Sequence, residues 1–138
     1  MPMQSVTIML LTPIRGPERI RHAEYRYIMN CAGAKVEGSG KVENTTANRL
    51  AMTALIEALK RMRKPSVITV ITDNGYLIQC RNQLAAWEQS GWMRDKTHEV
   101  KNADLWKEIS YLQKGHATRY IYNKLMVVKE TERHSEHH

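Results

Sequence analysis

A single carboxylate, Asp73, ends an unbroken β-branched run, Val67-Ile68-Thr69-Val70-Ile71-Thr72, and is followed by Asn74-Gly75-Tyr76. An Asp at a strand end can do either of two things. It can offer oxygens to a hard divalent cation, or it can accept a hydrogen bond from the first turn of the next helix. Two groups of cations could hold phosphate: Lys60, Arg61, Arg63 and Lys64 in one run, and Arg15, Arg19 and Arg21 in another. The first group also suits a helix C-terminus for purely local reasons, because cations favour the negative end of the helix dipole. Trp87, Trp92 and Trp106 can stack bases, although their places in helical segments read as core. No nucleophile–base pair stands out; Ser66 and Ser110 lie among ordinary structural residues. No glycine-rich phosphate loop precedes a helix. His134, His137 and His138 resemble a metal-binding tail only superficially.

The bulk properties bound the class of molecule. A chain of 138 residues is one domain, large enough to bury a core without staples. Its formal charge of +7 and pI near 9.6 suit a polyanionic partner, since cationic side chains release condensed counterions from phosphates. The same balance also serves solubility. No apolar run approaches the roughly 20 residues needed to span a bilayer, and the opening apolar stretch reads as a strand and not as a signal peptide. Cys31 and Cys80 are far apart, without Cys-x-x-Cys spacing, so a disulfide or zinc site is not expected. A reducing cytoplasm is the expected compartment, and a membrane partner is not.

The elements that must position Asp73 follow from pattern. Residues 6–11 read as a buried strand, and Pro13, Gly16 and Pro17 break the chain after it. Residues 24–32 and 34–42 read as further strands joined by antiparallel hairpins, the third weakened by Gly38 and Gly40. Residues 46–62 form the clearest helix: Leu50, Ala54, Leu55, Ala58, Leu59 and Met62 share one stripe. Thr45 or Thr46 caps its start, and Pro65 bars further helix. Residues 67–72 read as a central strand covered on both faces. A helical stretch over 74–88, in one piece or two, follows, and then a polar loop over 93–101. A helix over 103–112 and a last strand over 118–123 complete the reading. Residues 1–123 are therefore expected to form the domain, with 124–138 a tail or short helix.

Three motifs in this order carry a family resemblance: Thr45-Thr46-Ala47-Asn48-Arg49-Leu50-Ala51, then Thr72-Asp73, then Lys101-Asn102-Ala103-Asp104-Leu105-Trp106, with Gly91-Trp92 between the last two. The chain resembles type I ribonuclease H over residues 6–123. The resemblance implies an α/β fold with a five-stranded mixed sheet, three antiparallel strands first and parallel strands after, flanked by helices. It also implies metal-dependent cleavage of RNA in RNA/DNA hybrids. In the family pattern, however, the helix motif continues into a catalytic Glu, and Ala51 stands at that position. The family's first strand ends on an Asp, where alignment places Leu11, and no Asp follows the last strand. Asp73 is then the sole retained carboxylate, vestigial or weakly metal-binding. By the same resemblance Thr46, Asn48 and Tyr76 face nucleic acid; by their charge alone Arg15, Arg19, Lys60 and Arg61 are candidate phosphate contacts. The A-form minor groove offers 2′-hydroxyls and base edges to a side-chain amide such as that of Asn48.

Two-metal hydrolysis needs one ion to activate water and one to steady the leaving oxygen, and several carboxylates to balance them. Leu11 gives no oxygen and would push apolar surface into the site; Ala51 would leave a gap for water. The leading expectation is a domain that binds RNA/DNA hybrid or RNA without ordinary cleavage and needs no cofactor. The alternatives are a divergent nuclease, using Mg or Mn with Glu43, Glu132 or Glu136 as substitute ligands, and a protein-interaction module. Sequence preference and oligomeric state are not legible.

Overall fold

The computed structural model describes residues 3–136; His137 and His138, and the side chain of Glu136, lie outside what it describes, as does that of His134. Strands β1 (Gln4–Leu11), β2 (Ile20–Cys31) and β3 (Ala34–Thr45) come first. Helix α1 (Ala47–Leu59) leads to β4 (Ser66–Thr72), α2 (Gly75–Cys80), α3 (Leu84–Gln89) and α4 (Ala103–Gln113). Strand β5 (Ala117–Tyr122) and helix α5 (Lys124–Glu136) close the chain. The sheet has five strands in the order β3-β2-β1-β4-β5. β1–β2 and β2–β3 pair antiparallel, while β1–β4 and β4–β5 pair parallel. This is the mixed α/β architecture expected from the sequence.

Helix α1 forms because its apolar residues repeat at helical spacing and its first turn is capped. Thr46 has extended backbone, and its hydroxyl accepts the Arg49 N–H at 3.2 Å. Such a cap contributes about 1 kcal/mol. The helix ends at Leu59, three residues before the expected stop, as Arg61 and Met62 tighten into three-residue turns onto Ala58 and Leu59. Leu50, Ala51, Ala54, Leu55 and Ala58 are wholly buried against one face of the sheet, together with Ile8, Leu10, Ile68, Val70 and Trp106.

Alternation along the strands sends the intervening residues to the opposite face. There Met9, Leu11, Ile28 and Ile71 make a second, smaller cluster with Val127 of α5. The stretch after residue 123 is thus a helix that packs on the sheet through one buried valine. The cover is partial. Val67 is 37% exposed, and the Thr69 hydroxyl accepts from Arg119 Nε at 2.9 Å. The expectation that β4 is buried on both faces therefore holds for its C-terminal half alone: Ile71 lies under α5, and Val67 lies beyond it.

Gly38 and Gly40 read from sequence as weak points in β3; the register gives them a purpose. They stand opposite Tyr27 and Tyr25, whose rings lie across them. A Cβ on Gly38 would come within 2.2 Å of the Tyr27 ring, and one on Gly40 within 2.4 Å of the Tyr25 hydroxyl. The glycines are seats for two buried aromatic rings. Of the three tryptophans, Trp106 is wholly buried, and Trp87 and Trp92 pack half-buried against the main core.

Candidate nucleic-acid interface

The cleft forms where the C-terminal ends of β1 and β4 meet the start of α1. The β1–β4 register pairs Met9 with Ile71, so two residues further on Leu11 and Asp73 come level. Thr12, Ile14, Arg15, Gly16 and Pro17 line one wall; Ala47, Asn48, Asp73, Asn74 and Gly75 line the other, around about 320 Å³.

Asp73 does not cap the next helix. That role belongs to Asn74, whose backbone is extended and whose Oδ1 accepts the Leu77 N–H at 2.9 Å. The Asn74 N–H in turn donates to the Thr72 hydroxyl at 3.0 Å. Asp73 is left free to turn onto Arg15, and the Arg15 Nη2 donates to its Oδ2. The Asp73 side chain is 2% exposed and the Arg15 side chain 51%, so the pair shows its arginine to the cleft. Nη1 of Arg15 donates to the carbonyls of Thr12 (2.7 Å) and Ile14 (3.0 Å). The cation is thereby held by the turn that carries it.

Leu11 does not intrude on the cleft, as the sequence suggested; its side chain is buried under α5 with Met9, Ile28, Ile71 and Val127. Ala51 leaves no water-filled gap, for it is wholly buried in the main core. Neither residue lines the cleft. Of the proposed substitute ligands, Glu43 lies on the β2–β3 ladder, where its Oε1 is 3.3 Å from the His22 Nδ1, and Glu132 is exposed on α5. Among the described residues no group of three His, Cys, Asp or Glu side chains is placed to hold a metal.

The other motif residues are joined into one polar bracket. Asn74 Nδ2 donates to Asn48 Oδ1 at 3.1 Å, tying α2 to α1. Arg49, which sequence reasoning passed over, makes a two-pronged pair with Asp104 at 3.0 and 2.8 Å and reaches Asn102 Oδ1 at 3.2 Å. That guanidinium holds the Asp104 carboxyl below its usual range. The Tyr76 hydroxyl accepts from Trp106 Nε1 at 2.9 Å and Asn102 Nδ2 at 3.2 Å, and donates to the Lys101 carbonyl at 3.3 Å. Burial pushes this hydroxyl's pKa up, against the pull of those two donors. Thr-Thr-x-Asn-Arg, Asp-Asn-Gly-Tyr and Lys-Asn-x-Asp-Leu-Trp are therefore the three parts of a scaffold that fixes α1, α2 and α4.

The remaining candidates divide by position. Arg19 lies in the β1–β2 connection and donates to the Asn44 carbonyl at 2.6 Å, pinning the strap that carries Arg15. Lys60 and Arg61 sit at the far end of α1, about 20 Å away at 1.5 Å per residue. Lys60 bridges Glu57 and Glu108, both at 3.4 Å, and Arg61 stacks over the Tyr27 ring, 5.6 Å from its centroid. These two cations do not join Asn48, Asp73 and Arg15 at the cleft.

A five-stranded mixed sheet with a carboxylate at the end of its central parallel strand, facing the start of the crossover helix, defines a ribonuclease H-like α/β domain. The family model for RNase H matches residues 19–124, and the chain belongs to that family. It is 38% identical over 90 residues to ribonuclease H of Caldicellulosiruptor saccharolyticus, covering 64% of this chain and 62% of that protein. Ribonuclease H of Caldanaerobacter subterraneus is 37% identical over 91 residues, covering 64% and 60%. The chain thus spans about three-fifths of the length of these curated relatives. Among solved structures it resembles LC9-RNase H1, a type 1 RNase H with the type 2 active-site motif. That match has a TM-score of 0.73 at 22% identity and covers 91% of this chain and 65% of that one. LC11-RNase H1 in complex with RNA/DNA hybrid matches with a TM-score of 0.56 at 16% identity, covering 88% and 86%. At these identities the structures speak for the fold alone.

Proposed function

We propose that this domain binds RNA/DNA hybrid or RNA at the cleft and does not perform ordinary two-metal hydrolysis. One observation carries the reading: among the described residues that line the cleft the one carboxylate, Asp73, is already paired with a protein cation, and an aliphatic residue, Leu11, stands level with it. Two divalent ions bring about four positive charges, and magnesium wants several oxygens in near-octahedral array. Asp73 supplies one negative charge, and Arg15 already balances it. The donor set does not fit a metal pair. The scaffold bracket, the basic balance and the family membership support nucleic-acid binding. The free Cys31 and Cys80 fit a reducing compartment such as the cytoplasm.

The names of the relatives favour a second reading, a hydrolase that uses Asp73 with ligands from outside the described side chains. One experiment separates the two: incubation of labelled RNA/DNA hybrid with wild type and Asp73→Asn, with magnesium or manganese, scored for both binding and cleavage. Salt-sensitive binding without cleavage supports the first reading. Metal-dependent cleavage that disappears in Asp73→Asn establishes the second.

A further inference from the structure

We infer that Arg15 holds one phosphodiester of the bound strand directly, with no divalent metal between them. This rests on the nucleic-acid reading above and gives it a specific contact. A guanidinium carries five N–H donors in a fixed fork. Three are spent on the Thr12 carbonyl, the Ile14 carbonyl and the Asp73 carboxylate. The Nε–H and the second Nη2 N–H have no partner among the described residues, and the side chain is half-exposed on the cleft wall. Two N–H groups with that spacing suit two phosphate oxygens.

The surroundings make the site ready for an anion. Asp73 is buried behind the guanidinium, so an incoming phosphate meets the cation first. Asp73 acts here as a positioning residue, fixing which edge of Arg15 faces out. The strap carrying Arg15 is fixed at both ends, by the Arg15 bonds and by Arg19 on the Asn44 carbonyl. It turns at Gly16, where φ is +90°, a conformation glycine adopts without the Cβ penalty. Less rotamer freedom is then lost when ligand binds. Across the cleft, Oδ1 of Asn48 accepts from Asn74 Nδ2, which leaves the Asn48 side-chain N–H₂ as a further donor without a partner among the described residues.

The test is fluorescence anisotropy of a labelled RNA/DNA hybrid, titrated over a range of salt in EDTA and in magnesium. Wild type is expected to bind equally in both. Arg15→Gln is expected to weaken binding at least tenfold and to lower the slope of log K against log salt by about 0.9, one phosphate contact. Lys35→Gln, at the other end of β3 and paired with Glu37, controls for net charge and should leave that slope in place. Arg15→Lys should keep the slope and lose affinity several-fold, because an ammonium lacks the fork. If the Gln variant does not fold by circular dichroism, the Lys variant decides alone: a several-fold loss supports the inference, and wild-type affinity overturns it. Binding that requires magnesium, or a folded Arg15→Gln with wild-type affinity and slope, also overturns the inference and leaves the nucleic-acid reading standing. Absence of wild-type binding at low salt removes that reading itself.

Discussion

Arg15→Met should cost more stability than the exposure of Arg15 suggests, because it strands Asp73. Removing one partner of a fully buried ion pair costs about 3–5 kcal/mol, and an exposed pair contributes about 0–1 kcal/mol. Here the Asp73 side chain is 2% exposed and the Arg15 side chain 51%, so water can enter the space left by the arginine and solvate one side of Asp73. The cost falls between the limits, at about 2 kcal/mol. For a chain of this length that lowers Tm by about 7 °C. Asp73→Asn keeps an acceptor for Arg15 and removes the buried charge, so it should cost about 1 kcal/mol. The double variant no longer buries an unpaired charge and should be less destabilised than the sum of the singles, by about 1 kcal/mol or more. Urea denaturation of the four proteins at neutral pH, fitted with a common m-value, measures that coupling. Additivity within about 0.5 kcal/mol would refute the view that Arg15 neutralises Asp73.

Arg49→Ala should lower Tm and loosen α4 from α1, read as faster amide exchange in residues 103–113. Asp104 has its pKa lowered in the folded state by Arg49, so its unfolded form binds the proton more readily. The stability it contributes is complete above about pH 4, the ordinary Asp range, and fades as pH falls through the lowered folded value. The stability gap between wild type and Arg49→Ala should therefore narrow below about pH 4; a gap that widens there would count against this pairing. Gly38→Ala should destabilise by about 1–3 kcal/mol through overpacking, with the cost reduced when Tyr27→Leu removes the ring; an unchanged urea midpoint for Gly38→Ala alone would contradict the seat. Thr46→Ala should cost about 1 kcal/mol through its cap, checked by the same denaturation.

What the sequence disclosed was set by local pattern. The β-branched run before Asp73 announced β4, and the apolar stripe with its threonines announced α1, because both signals repeat within one element. Contacts between distant segments were hidden. Arg15 and Asp73 are separated by 58 positions, so the arginine read only as one charge among several. Arg49 stood only as one letter of the helix motif, since nothing nearby in sequence shows that Asp104 will face it. Gly38 and Gly40 look like defects until the register sets Tyr27 and Tyr25 across them. Helix α5 gave little signal, because Leu125 and Met126 are 65% and 42% exposed and Val127 is its one buried residue among those described. The motif residues Asn48 and Tyr76 were legible as important, but their hydrogen bonds show structural work that a sequence position cannot separate from ligand contact.

The central claim is that Asp73, paired with Arg15 at the end of β4, does not hold a pair of divalent ions. Titration of the protein with manganese, following free ion by electron paramagnetic resonance, tests it most directly. The account predicts no stoichiometric uptake by wild type at submillimolar manganese. Uptake of two ions per chain in that range, lost in Asp73→Asn, would contradict it.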